Sequence, residues 1–282
     1  MRKRISFISV FTMFLAIGFV IIFSRPVKAA ANGVILKANR TYAAYDVTGD
    51  GMKDKIRIRA ANQTDDEAYT SLTVSVNGKT AYRLKNTRFY NVIANIYTLK
   101  NGQPFLYLYA PAENGDGPVC ALLKYTNGKF RKILDFTEIM AGYGGHHIGE
   151  VTNLNGNKIV ITESIVSYSL GINAINFTYK YVNGKFVPTS RYGSYKEIYS
   201  ADGSSRYFTV NSDLPAYARP GATAVNTTLK TGSLTKIIKC ALINRKMYIQ
   251  LECDGEIYWI KALENPPISD SERQFMEVRY AG

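Results

Sequence analysis

Residues 46 to 54 read Asp-Val-Thr-Gly-Asp-Gly-Met-Lys-Asp, so that Asp46, Thr48, Asp50 and Asp54 stand at positions 1, 3, 5 and 9 of a short loop, with Gly51 at position 6. That spacing suits a hard cation. Calcium takes roughly six or more oxygens at about 2.3–2.6 Å, and a turn with glycine at its sharpest point can bring several side chains and one carbonyl to a common centre. The expected ligands are the side chains of Asp46, Thr48, Asp50 and Asp54 and the carbonyl of Met52. A bidentate glutamate at position 12 would mark a helix-flanked sensor loop, and Arg57 occupies that position, so the expected role of Ca2+ is structural. The alternative is an Asx-rich turn that holds only water.

Other residues capable of chemistry are sparse. Both histidines, His146 and His147, lie in the glycine-rich segment 142–150 with Glu150 close behind. Two histidines and a carboxylate could hold a transition metal or act as a general base, but adjacent residues of a strand point to opposite faces. Both could reach one ion only if the backbone turned there. Cys120, Cys240 and Cys253 form no CxxC pair and have no histidine nearby in sequence, which argues against a zinc site or a catalytic thiol. An odd count also excludes a fold stapled by disulfides, although a bridge between Cys240 and Cys253 stays open. No Gly-x-Ser-x-Gly elbow is present.

The chain begins with Arg2, Lys3 and Arg4, continues through an apolar stretch from Ile5 to Phe23, and reaches a small-residue site at Val27-Lys28-Ala29. This is the pattern of a secretory signal over residues 1–29, with an uncleaved membrane anchor as the alternative. Removal of Arg2, Lys3, Arg4, Arg25 and Lys28, with no acid among those 29 residues, takes the formal charge from +13 to +8. A positive excess on an exported chain favours anionic surroundings. The cations, however, are scattered with no dense run, so solubility is the simpler account.

The elements that must position these groups are strands. Twenty-one tyrosines and thirteen phenylalanines accompany alternating runs such as Lys55-Ile56-Arg57-Ile58-Arg59 and Phe105-Leu106-Tyr107-Leu108-Tyr109. Asn-Gly pairs begin at Asn77, Asn101, Asn127, Asn155 and Asn183, and such pairs supply the positive φ angles of two-residue hairpins. Grouping strands about them gives three four-stranded meanders, within 42–84, 92–134 and 148–187, in an all-β, partial propeller-like array. Three are too few to close a ring. The open ends then require a cover, and self-association through an edge is one. A closed sandwich of the same strands is the alternative. The polar break at 200–206 reads as a linker, and a small second β unit follows.

The loop at Asp46, the strand after it and the Asn-Gly-Lys turn at Asn77 resemble the calcium-bearing FG-GAP and VCBS repeats of exported bacterial proteins. That resemblance implies a structural ion held by Asp46, Thr48, Asp50, Met52 and Asp54 between two strands of one blade. The later turns lack the carboxylates. The segment with Leu214-Pro215-Ala216-Tyr217, Met247-Tyr248-Ile249-Gln250-Leu251 and Gly255-Glu256-Ile257-Tyr258-Trp259-Ile260 is similar to bacterial SH3-like domains, many of which attach exported proteins to peptidoglycan. It implies a small β-barrel with ligand contact near Tyr217, Tyr258 and Trp259.

The expected organisation is thus a signal at 1–29, an extension at 30–40, a β-repeat domain at 41–199, a linker at 200–206 and an SH3-like domain at 207–282. The expected function is that of a secreted or cell-surface, non-enzymatic binding protein. Its partner would be a cell-wall polymer or envelope protein, not nucleic acid, with the membrane involved only if the N-terminal segment stays attached. The alternative is a wall or glycan hydrolase with catalytic groups in loops around His146 and Glu150.

Overall fold

The computed structural model describes residues 33–280 without Asn114 and Asp202; the signal segment lies outside the described residues. Every regular element among them is a strand or a short 3-10 turn, with no α-helix. Strand β1 (Val34–Leu36) is followed by a first meander, β2 (Thr41–Tyr45), β3 (Asp54–Gln63), β4 (Tyr69–Val76) and β5 (Lys79–Phe89). The second meander is β6 (Ile93–Thr98), β7 (Pro104–Ala110), β8 (Val119–Thr126) and β9 (Lys129–Asp135), and β1 adds to its edge beside β6.

A third meander begins with β10 (Gly144–Asn155), β11 (Lys158–Ser167) and β12 (Gly171–Val182). The long β12 has two partners on one side. Its end forms a hairpin with β13 (Lys185–Pro188), while its beginning pairs with β14 (Tyr192–Ser200). Short strands follow as β15 (Gly203–Ser204), β16 (Tyr207–Thr209), β17 (Leu214–Ala216) and β18 (Thr227–Leu229). The chain then forms the long antiparallel run β19 (Leu234–Ile243), β20 (Lys246–Cys253) and β21 (Glu256–Lys261). Because β14 pairs with β19, the strands before and after residues 200–206 belong to one sheet, ordered β10-β11-β12-β14-β19-β20-β21.

Each of the five Asn-Gly pairs named above joins two hairpin strands. Asn77, Asn127 and Asn183 have φ of 50°, 51° and 49°, with positive φ at the glycine that follows, as a two-residue turn matching strand twist requires. Two of these turns share a local device. Tyr125 packs on Phe130 across the β8–β9 hairpin at 5.3 Å between centroids, and Tyr181 on Phe186 across β12–β13 at 5.2 Å.

The second sheet lies between the other two, and β7 shows how one strand serves both. Leu106 and Leu108 enter the cluster built with Ile56, Ile58, Leu72 and Val74 of the first sheet. Phe105, Tyr107 and Tyr109 enter the cluster built with Ile159, Ile161, Ile175 and Phe177 of the third. Successive side chains point to opposite faces, so the alternation here is aliphatic against aromatic, with both faces buried. Aromatic hydroxyls satisfy backbone groups across the second interface: Tyr107 Oη donates to the Gly149 carbonyl at 2.7 Å and Tyr97 Oη to that of Val151 at 3.4 Å.

Candidate functional site

The turn at 46–54 converges on its own carboxylates. Asp46 Oδ1 accepts from the Gly49 amide at 2.6 Å and the Asp50 amide at 3.2 Å, while Oδ2 accepts from Gly51 at 2.7 Å. Asp54 is buried, and its Oδ2 accepts from the amides of Val47 at 2.7 Å and Thr48 at 2.9 Å. Asn77, from the next hairpin, donates its Nδ2 to Asp54 Oδ1 at 2.6 Å. The Thr48 hydroxyl lies 3.3 Å from an oxygen of Asp46 and from one of Asp54, so three of the expected ligands already meet. Asp50 is turned to the Met52 amide at 2.8 Å. Gly49 and Gly51 take φ of 81° and 85°, a backbone that glycine tolerates best. Desolvation is the largest single influence on the Asp46 carboxyl and pushes it up, but the amides of Gly51 and Gly49, with Thr48 and Asp50, together outweigh it and hold the group below its ordinary value.

As it stands the turn is closed by protein donors. A carboxylate has about four lone-pair sites, and those of Asp46 and Asp54 are largely taken by amides, the Thr48 hydroxyl and Asn77, so a calcium ion would have to displace some of these donors. Among the described residues no three His, Cys, Asp or Glu side chains stand together as a ready metal group. Asp50 would therefore have to turn inward to join Asp46, Thr48 and Asp54.

At the histidines the backbone does turn. His146 has φ of 57° within a β-bulge between Gly145 and Ile148, which breaks the strand alternation. Asp116 faces both residues: its Oδ1 accepts the His147 amide at 3.0 Å, and its Oδ2 is 4.0 Å from His146 Nδ1. His147 Nε2 sits 3.1 Å from the Gly144 carbonyl and so carries the proton, and burial lowers the pKa of the ring. Glu150 is raised by burial, with Lys196 opposing. The cysteines are all free and buried, and desolvation pushes Cys120 and Cys240 up to about 12, far from a reactive thiolate.

The most developed surface lies on the outer face of the C-terminal strands. Tyr217 and Trp259 are locked by a backbone bridge, with Tyr217 N donating to Trp259 O at 2.7 Å and the reverse bond at 2.9 Å. Their side chains pack with Ala241 and Tyr248 in a separate small cluster. Tyr192 stands against Trp259 at 5.9 Å between centroids and is 37% exposed. Lys239 Nζ lies 4.7 Å from the Tyr192 ring centre, Arg191 is 5.3 Å from the same ring, and Lys261 is 5.1 Å from Tyr217. Cations over aromatic faces at such distances contribute about 0.5–1 kcal/mol each where solvent reaches them.

The cross-strand register explains how this face assembles. Asn176 is opposite Ser194, Ser194 opposite Lys239, Lys239 opposite Gln250, and Gln250 opposite Trp259, so one row, polar over four strands, ends on the Trp259 ring of the fifth. In the neighbouring row, Tyr192 and Tyr248 flank Ala241, whose small side chain leaves space for the rings. A groove of about 310 Å3 opens beside Tyr192, lined by Asn176, Thr178, Ser190, Ser194 and Lys239. A hollow of about 420 Å3 adjoins it at Thr189 and Ser190, where β12 changes partner.

Of the three aromatics singled out in the sequence, Tyr217 and Trp259 meet here, both largely buried. Tyr258 points to the opposite face and packs on the main core, as alternation along β21 requires. Sequence reasoning missed Tyr192, Arg191, Lys239 and Asn176. Only the pairing of β14 with β19 brings them beside Trp259, and no local motif announces that pairing. Comparison with family models, curated proteins and solved structures returns no match, so the reading of this face rests on its own geometry.

Proposed function

We propose that this chain is an exported, non-enzymatic binding protein of the cell envelope. Its first sheet is braced by a calcium ion in the turn at 46–54, and it engages a cell-wall polymer through the groove beside Tyr192. In this reading the three meanders form a partial, open propeller-like array. Residues 207–282 are an SH3-like unit whose strands continue the third sheet.

The observation that carries the proposal is the half-exposed Tyr192 ring, backed by Trp259, flanked by Lys239 and bordered by Asn176, Ser190 and Ser194. An aromatic face beside amide, hydroxyl and ammonium groups suits a sugar ring, which presents C–H bonds on one side and hydroxyls at its rim. The rigid backing of Tyr192 lowers the ordering cost of binding.

Sedimentation of the mature chain with purified cell walls tests the reading. Tyr192→Ala should weaken binding roughly tenfold, equivalent to ~1.4 kcal/mol, with the fold intact. Equal sedimentation of wild type and variant would reject the groove as the contact.

A further inference from the structure

The three long strands of the first sheet, β3, β4 and β5, contain seven lysines and arginines and one acid, Asp54, which is buried at the start of β3. Alternation sorts them. Ile56, Ile58 and Ala60 of β3 are buried against the second sheet, so Lys55, Arg57 and Arg59 point outward. On β5, Arg83 is opposite Thr73, and Thr73 is opposite Arg59; Lys85 is opposite Ser71. Ser75 lies between Arg57 and Thr80. The outer face therefore carries five exposed cations, Lys55, Arg57, Arg59, Arg83 and Lys85, set among hydroxyls. None of the five is in an ion pair with a described residue.

We propose that this face binds a linear phosphodiester polymer. The charge is uncompensated, and same-face residues two apart stand about 6.8 Å from each other along a strand, with Arg59 and Arg83 about 10 Å apart across it, so the cations form a lattice and not a point. Three of the five are arginines, whose planar fork meets phosphate oxygens in pairs. The hydroxyls of Ser71, Thr73, Ser75 and Thr80 offer further donors between them. The occupant lacks bases. Strands that bind single-stranded nucleic acid combine basic residues with aromatic stacking platforms, and no aromatic ring is among the outward residues at 57, 59, 71, 73, 75, 80, 83 and 85. It is not a bilayer either, since the same positions hold no apolar side chain that could enter the headgroup region.

This surface is separate from the Tyr192 groove, and its test does not use walls. The probe is a synthetic glycerol phosphate oligomer, titrated against the full mature chain by calorimetry at several salt concentrations. A variant with Arg57, Arg59, Arg83 and Lys85 all changed to glutamine should bind at least about tenfold more weakly and show a shallower dependence of log K on log salt. The exposed positions keep it foldable, and circular dichroism checks that. A charge-matched control, with Lys100, Lys158, Lys185 and Lys246 changed to glutamine, should retain most of the affinity. Equal loss in the two variants would overturn the proposal in favour of net charge alone. Equal or tighter binding of polyglutamate, anionic phospholipid vesicles or single-stranded DNA would overturn the choice of occupant.

Discussion

Gly149 and Glu163 are direct cross-strand partners in the third sheet, and the missing side chain of the glycine is what makes room for the carboxyl. A Cβ on Gly149 would collide with Glu163 and with the Phe136 ring. Both Glu163 oxygens are buried without a hydrogen-bond partner among the described residues, in the interface where Tyr107 and Cys120 also converge on the Gly149 carbonyl.

Gly149→Ala should therefore destabilise the fold by about 1–3 kcal/mol, the usual cost of overpacking a core. Its φ is not in the left-handed region, so the cost is steric. Urea unfolding with an unchanged m-value checks this.

Burial, reinforced by Asp135, holds the Glu163 carboxyl well above its ordinary 4.5, so it is protonated in the folded state where the unfolded chain has lost the proton. The folded form then binds the extra proton, and stability falls as pH rises above about 4.5 until the folded pKa is reached. Glu163→Gln should remove that slope. Its melting temperature should gain on wild type as pH goes from 5 to 8, and parallel curves would refute the assignment.

Calcium should raise the melting temperature at millimolar concentrations, the range of extracellular modules. At a hundredfold excess over Kd the gain is about 2.7 kcal/mol. Asp46→Asn should abolish that shift and also lower calcium-free stability, though less than at buried Asp54, since an amide cannot accept from Gly49, Asp50 and Gly51 together. Asp54→Asn should lower stability by about 1–3 kcal/mol even without calcium, since an amide cannot accept all the donors from Val47, Thr48 and Asn77.

Trp259→Ala should cost about 3–5 kcal/mol as a buried aromatic, and its loss of wall binding would report on folding. Tyr192→Ala should cost about 1–2 kcal/mol, from its two cation contacts, which still leaves it the more informative probe of the groove. Chemical denaturation separates the two.

Much of the architecture was legible along the chain. The turns at Asn77, Asn127 and Asn183 follow from local φ preferences, and the runs around Ile56, Leu106 and Ile249 fall in strands. The carboxylate-centred turn at Asp46 was legible for the same reason, since its acceptors lie within nine residues of one another. The groove was not. Tyr192, Lys239 and Trp259 come from three strands whose neighbours are chosen by burial of their other faces against the core.

By itself, then, the amino-acid order determined what nearest neighbours decide: strand periodicity, hairpin turns and the oxygen-rich loop at Asp46. Only the tertiary structure decided what distant residues share. Five of the cations that look scattered along the chain are gathered on one face, because burying Ile56 and Ile58 turns Lys55, Arg57 and Arg59 outward, and register sets Arg83 and Lys85 on the same side. A period of two specifies two faces for each strand, but which face meets water depends on the sheet packed against the other.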